Sequence, residues 1–338
     1  MTLVTMFHEK EQTVAAADLL LSSKEQWSRI PIPTRETQLL YDRPSLGLPS
    51  SFVQKLTFLN ENIMFCWAGN RQQAHDLVLH LQEQPLTRGG LVDGLCRYRQ
   101  ESIGMGENQV CGVLMHHDAG ETWSIDVGID YSRPKFRHFE NVRIFGSGVA
   151  DAMDYFRRKD QAKAIDHRPI HDALFFWGHA MAAQSHEGFG LPDAWGGGFQ
   201  LVYPDNGRWQ LLQSLLVRAW VITDATRPRL HRGPFFYLFY VGEMLFICRA
   251  FGEDGGSLFS VPPLLAPGLS VTFVSGRRRA EVVLDMVQHP WPGRYWYSVE
   301  EKGSDGPEIY VAAKGSYALM SDDEEEALLS KFLSHLPR

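Results

Sequence analysis

The sequence predicts an α+β protein, with a four-layer αββα sandwich over residues 2–212 and a β-rich domain over residues 213–338. Three observations lead there. The first part reads as strands, two helices, strands, two helices, strands, which is not the βαβ alternation of a doubly wound sheet. Beyond about residue 213 the character changes and β-type runs dominate. Finally, 338 residues at roughly 150 per domain is length for about two domains.

The elements follow in order. Thr2–Phe7 is β-rich, His8–Gln12 is a polar turn, and Thr13–Leu21 resumes the apolar pattern as a second strand. Residues 23–54 carry four prolines among Ser, Arg and Gln, which predicts a long surface excursion inserted in the first domain. Lys55–Leu59 and Ile63–Trp67 form a hairpin across Asn60–Asn62. Ala74, Leu77, Val78 and Leu81 then fall on one helical face, and a second helix spans about Gly90–Tyr98. Cys111–Met115 and Trp123–Ile129 pair around Asp118–Gly120. Val142–Phe145 ends at Gly146-Ser147-Gly148, and helices follow over Ala150–Arg158 and Asp172–Gln184. After Gly196-Gly197-Gly198, Phe199–Tyr203 and Trp209–Leu212 form a hairpin on Asp205-Asn206-Gly207. Arg227–Pro234 reads as a linker or long loop. Strands are expected over Phe235–Val241, Met244–Ala250, Leu269–Val274, Ala280–Met286, Tyr295–Val299 and Ile309–Ala313. Ser321-Asp322-Asp323-Glu324 has capping-box spacing and opens a C-terminal helix.

Composition excludes several classes. Hydrophobic residues at 44% and charged residues at 22% describe a globular chain. The 33 basic against 40 acidic residues give a net charge of −7, the wrong sign for a general nucleic-acid binder. No apolar run approaches the ~20 residues of a bilayer span, and His8–Glu11 interrupt any signal peptide. The four cysteines form no CxxC pair, so reduced thiols and a cytoplasmic location are expected. His116-His117 and His167-x-x-x-His171 lack a third ligand pattern, and no glycine cluster forms a phosphate-binding loop. No metal or cofactor is expected. Arg277-Arg278-Arg279 is read as an exposed hairpin turn.

The informative feature is Thr2. Removal of Met1 leaves a hydroxyl and an α-amine on one residue, a nucleophile and its own base, since the amine pKa is about 7.7 to 8.0. Asp18 follows sixteen residues later (18 − 2). Lys55 precedes Gly69 by fourteen (69 − 55). Ile144-Phe145-Gly146-Ser147-Gly148 and Asp193-Ala194-Trp195-Gly196-Gly197-Gly198 complete an ordered set. In these intervals and motifs the sequence resembles the proteasome β-subunits and the related bacterial peptidase subunit that pairs with an unfoldase. Both are N-terminal-nucleophile (Ntn) hydrolases.

The resemblance implies a threonine-type peptidase or amidase in an Ntn-hydrolase fold. Thr2 would attack a peptide carbonyl, with its amine taking the proton. Lys55 would favour the alkoxide-like form and depress the amine pKa, held by Asp18. The Gly69 N–H would stabilise the oxyanion, and Ser147 and Asp193 would orient the amine. Trp67 and Arg71 fall at positions lining the substrate pocket. The resemblance also implies a homo-oligomer acting on a peptide or protein substrate, with an ATP-dependent unfoldase or another protein as partner.

Four departures accompany it. Gly196 stands where the family has Ser, and Leu3 where a second Thr is common. The bulk of Trp67 would shrink or close the pocket. Asp18 and Lys55 are 37 residues apart (55 − 18) against sixteen in the family, so the excursion holds 21 extra residues near the expected cleft. These leave a second function class open. It is a catalytically inactive proteasome-like assembly or binding module acting through its C-terminal domain.

Overall fold

The computed structural model describes residues 2–9, 12–23, 32–34, 48–101, 110–118, 121–128, 142–159, 163–164, 168–185, 195–223, 229–251, 255–271, 273–288, 295–312, 315–318 and 322–334. The fold is α+β and mostly sheet. The chain opens with β1 (Val4–Glu9), β2 (Gln12–Asp18), β3 (Leu20–Ser23), β4 (Leu48–Phe52), β5 (Leu56–Phe58) and β6 (Ile63–Ala68). Helices α1 (Arg71–Gln82) and α2 (Arg88–Glu101) follow, then β7 (Cys111–His117), β8 (Thr122–Val127) and β9 (Val142–Phe145). Next come α3 (Val149–Lys159), the short β10 (Lys163–Ala164), α4 (Pro169–Ser185), β11 (Phe199–Asp205) and β12 (Arg208–Leu211).

Two sheets form from these strands: β12-β11-β2-β1-β9 and β5-β6-β7-β8, both antiparallel throughout. Period-2 alternation sorts their side chains. Val4, Met6, Ala15 and Ala17 meet Leu56, Met64, Cys66, Val113 and Met115 in a core between the sheets. Leu3, Phe7, Val14 and Ala16 point the other way, toward α3 and α4. Ile63, Phe65 and Trp67 pack on Ala74, Leu77 and Val78 of α1 and Leu91 and Leu95 of α2. The expected helical face of α1 is therefore its buried face. Asn70 caps that helix, its side chain accepting from the Gln73 N–H at 3.1 Å.

Helix α4 is buried all round: fourteen of its 17 residues are buried, and only His171, Asp172 and His179 among them carry polar side chains. Such a helix needs cover on two sides. The first sheet supplies one. The other is a seven-stranded sheet, β10-β19-β18-β13-β14-β15-β16, built from β13 (Ser214–Ile222), β14 (Leu230–Val241), β15 (Met244–Phe251), β16 (Gly255–Val261), β17 (Gly276–Arg279, which lies outside this sheet), β18 (Val282–Gln288) and β19 (Tyr295–Glu301). Val217, Phe236, Ile247, Leu284 and Met286 from this sheet share one apolar cluster with Phe175, Phe176 and Trp177 of α4. The core thus runs continuously across residue 212. A small sheet, β17-β20-β21, adds β20 (Glu308–Ala312) and β21 (Gly315–Ala318), and α5 (Asp322–Leu333) closes the chain.

The ends of the excursion at 23–54 pair as a β-ribbon, with Leu20 opposite Phe52 and Ser23 opposite Leu48, while 24–31 and 35–47 lie outside the described residues. Several expectations are corrected. Leu230–Pro234 is strand rather than linker: Gly233 and Pro234 fall opposite a register irregularity at Arg218/Trp220, where a residue without an N–H is tolerated. Leu269–Val274 forms no strand among the described residues. Val271 and Phe273 do pack on the core, but no neighbouring strand pairs with that backbone, and Val274 is 70% exposed. Arg277–Arg279 is not a turn but β17. Arg277 and Arg279 reach Glu308, and Arg278 sits over the rings of Phe239 and Phe273. Strands β13, β16 and β21 were not expected. Ser321, Arg227 and His167 lie outside the described residues.

Among the described residues, no helix is long and apolar enough to cross a membrane, and no three His, Cys, Asp or Glu side chains gather as a metal site.

Candidate active site

Thr2 stands just before β1, at the edge shared with β9. The 3.0 Å bond from the Gly148 N–H to the Thr2 carbonyl holds it against the turn that ends β9. Gly146 is required in that turn. Its φ is +106°, and a Cβ there would collide with the Thr2 carbonyl. The turn brings Ser147 to Thr2, whose backbone N–H donates to Ser147 Oγ at 2.9 Å. From the opposite sheet the Gly69 N–H, between β6 and the cap of α1, donates to Thr2 Oγ at 3.3 Å. Thr2 is 3% exposed, while Gly69 and Ser147 on either side of it are exposed.

Behind Thr2 lies a fully buried ion pair. Asp18, the last residue of β2, accepts from Lys55 Nζ at 2.5 Å and from the Leu3 N–H at 2.8 Å on Oδ1. Its Oδ2 accepts from the Gly196 N–H at 3.2 Å. Lys55 Nζ also donates to the Leu20 carbonyl at 2.7 Å. Both side chains are 0% exposed. Burial lowers the Lys55 pKa, opposed by the charge and hydrogen bond of Asp18. Burial raises that of Asp18, opposed by Lys55 and by the Leu3 and Gly196 N–H groups. Each charge therefore depends on the other to remain in the interior.

The departure at residue 196 has a physical reason. Gly196 has φ +131°, and a Cβ would run into the amide of Gln184. Gln184 fills that space, donating to the Trp195 carbonyl at 2.8 Å and accepting from Thr34 Oγ of the excursion at 2.7 Å. Trp67 is wholly buried among Phe65, Val53 and Leu264, on the α1–α2 side of its sheet. Arg71 is the first residue of α1 and half-buried. Asp193 lies outside the described residues.

Thr2, Asp18, Lys55, Gly69 and Ser147 are thus joined to one another by hydrogen bonds directly or through Leu3, although they come from distant parts of the sequence. Sequence reasoning missed Gln54 and Gln200, two buried amides that hold the Lys55 backbone. The signal was a polar residue inside the apolar run Phe199-Gln200-Leu201-Val202. The Leu20 carbonyl and Gln184 had no sequence signal. A cavity of about 320 Å³ lies elsewhere, beneath α5.

Compared with known proteins, the chain matches no family model and no curated sequence.

Proposed function

We propose that this chain is a threonine-type peptidase or amidase with the αββα architecture of Ntn hydrolases, and that Thr2 becomes its nucleophile once the preceding residue is removed. The observation that carries the reading is the meeting of the Gly69 N–H and Ser147 Oγ on Thr2, backed by the buried Asp18–Lys55 pair. Those bonds link the same residues that the spacing singled out. The two helix pairs on the outer faces of two stacked sheets support the fold assignment.

The chemistry runs in two steps. Thr2 Oγ bonds to the substrate carbonyl carbon while its proton passes to the Thr2 amine, directly or through water. The Gly69 N–H lies beside Oγ, where it can donate to the developing oxyanion. Collapse of the tetrahedral intermediate breaks the C–N bond, the departing amine takes the proton, and a Thr2 ester remains. Water then hydrolyses that ester with the amine again as base. Throughout, the Lys55 ammonium disfavours a second positive charge on the amine, keeping it a base near neutral pH. Ser147 orients it.

We further propose a homo-oligomer, to be sized by light scattering, acting on peptide or protein substrates with an unfoldase or other protein partner. The four cysteines are free thiols, which supports a reducing, cytoplasmic setting.

The second reading, a non-catalytic assembly or binding module, is favoured by the burial of Thr2 and by glycine at 196 in place of serine. Peptide-library hydrolysis by wild type and Thr2→Ala separates the two. The hydrolase reading expects turnover in wild type and none in the variant. Equal turnover in both, or none in protein whose mass shows Thr2 at the N-terminus, favours the binding module.

A further inference from the structure

The chemistry above assigns no role to residues 213–338, yet two buried glutamines tie that half of the chain to Lys55. Gln54 lies immediately before the lysine. Its backbone N–H donates to the Pro262 carbonyl at 3.1 Å, and its Nε2 donates to the carbonyls of Glu243 (2.6 Å) and Val261 (2.9 Å). Glu243 sits in the β14–β15 turn, and Val261 ends β16. Gln200, on β11, accepts the N–H groups of both Lys55 (3.1 Å) and Leu56 (2.9 Å) on a single Oε1. Its Nε2 donates to Gln54 Oε1 and to the Leu56 carbonyl, both at 3.1 Å. Gln54 is 5% exposed and Gln200 2%.

A primary amide has two donors and two acceptor sites. Gln200 uses all four, and Gln54 uses both donors and one acceptor. Burying two amides is costly unless they are paired this completely, and a fully paired network is rigid. It fixes the Lys55 backbone from two sides: one side is the sheet that carries Asp18, the other the C-terminal sheet. Lys55 Nζ must then reach Asp18 and the Leu20 carbonyl from a backbone position set by that network.

We propose that Gln54 and Gln200 are positioning residues for Lys55, and that the C-terminal sheet is a structural part of the active site, acting through the Glu243 and Val261 carbonyls. This rests on the hydrolase reading for its kinetic consequence, though not for its geometry. In Gln54→Met the side chain keeps its length and loses every polar contact. Lys55 then shifts relative to Thr2, and the like charge that depresses the amine pKa moves away.

The test compares wild type, Gln54→Met and Leu328→Ala. The last removes a buried side chain of α5 distant from the network, and so controls for general destabilisation of the C-terminal half. In Gln54→Met, kcat is expected to fall about 10- to 100-fold with little change in KM, and the acid limb of its pH profile to move to higher pH. Leu328→Ala should leave both near wild type. Equal effects in the two variants, or an unmoved acid limb in Gln54→Met, would overturn the proposal.

A second readout needs no turnover. The Lys55 Nζ titration, followed by NMR with ε-13C-labelled lysine and assigned with Lys55→Arg, should move in Gln54→Met and stay put in Leu328→Ala. Were wild type to show no Thr2-dependent hydrolysis while this titration moved, the hydrolase reading would fall and the positioning role would stand. An unmoved titration rejects the positioning role. If Gln54→Met does not fold, amide exchange at Lys55 and Leu56 in the native protein decides. Protection matching the slowest core amides supports the network, and rapid exchange contradicts it.

Discussion

Replacing Lys55 by Met tests whether the buried pair is the keystone that its geometry suggests. The ammonium donates to Asp18 at 2.5 Å and to the Leu20 carbonyl at 2.7 Å, with no exposed surface on either charged side chain. Two charge-assisted hydrogen bonds at about 1.5–3 kcal/mol each set a gross loss of roughly 3–6 kcal/mol. Methionine keeps the apolar stem and adds a little buried apolar surface, which returns about 1 kcal/mol. The expected net cost is then about 2–5 kcal/mol, overlapping the roughly 3–5 kcal/mol typical of removing one member of a buried pair. Asp18 keeps its two backbone donors and can take up a proton, so the variant should still fold. The assay is urea unfolding at pH 7, with midpoints and slopes for wild type, Lys55→Met, Asp18→Asn and the double variant. Coupling between the two sites should reach about 2 kcal/mol or more, the double variant being far less destabilised than the sum of the singles. Costs that add to within about 0.5 kcal/mol would refute the interdependence of the two charges.

Other outcomes follow from the same geometry. Gly196→Ser, which introduces the serine found there in the proteasome subunits the sequence resembles, should destabilise by about 1–3 kcal/mol from the positive φ, with an added penalty from Gln184. Gln184→Ala should relieve only the added part, as read by thermal denaturation. Ser147→Ala should lower kcat about tenfold through loss of one hydrogen bond to the Thr2 nitrogen. Because Ser147 is exposed, the same variant should change stability by no more than about 0.5 kcal/mol. Burial opposes ionisation of Glu300, but hydrogen bonds and charge from Lys302 and Lys331 outweigh it and hold the carboxyl at about 2, below its usual 4.5. A carboxyl depressed on folding contributes stability that is complete above pH 4.5 and lost as pH falls toward 2. Melting temperature should therefore drop across that window in wild type and drop less in Glu300→Gln.

The site was more legible in the sequence than the fold that surrounds it. Thr2, Asp18, Lys55, Gly69 and Ser147, singled out by motif and spacing, lie at strand ends and turns where chain direction changes, and hydrogen bonds join them directly or through Leu3. The hairpins and helices of the first half carried local signals: alternation in β1 and β2, and the Ala74–Leu81 stripe in α1. In the second half the runs Phe235–Val241, Met244–Ala250, Ala280–Met286, Tyr295–Val299 and Ile309–Ala313 marked β14, β15, β18, β19 and β20, but other elements carried no such signal. Strand β13 runs parallel to β18 across a long connection and is almost uniformly apolar, so it had no local pattern to mark it. The start of β14 was hidden by Gly233 and Pro234, whose turn-forming character is overridden by pairing with β13. Leu269–Val274 alternates in sequence like a strand, but among the described residues no strand pairs with it. The packing of the C-terminal sheet onto α4 could be anticipated only from the apolar runs Ala173–Gly178 and Ala180–Ala183 of that helix.

Covalent capture shows whether Thr2 is a nucleophile. Purified protein is incubated with a threonine-directed electrophile, then intact mass and peptide mapping locate the adduct. The expected result is a chain beginning at Thr2, one adduct on Thr2, and no adduct in Thr2→Ala. An adduct formed equally in Thr2→Ala, or a chain with Thr2 exposed at its N-terminus that stays unlabelled, would contradict it.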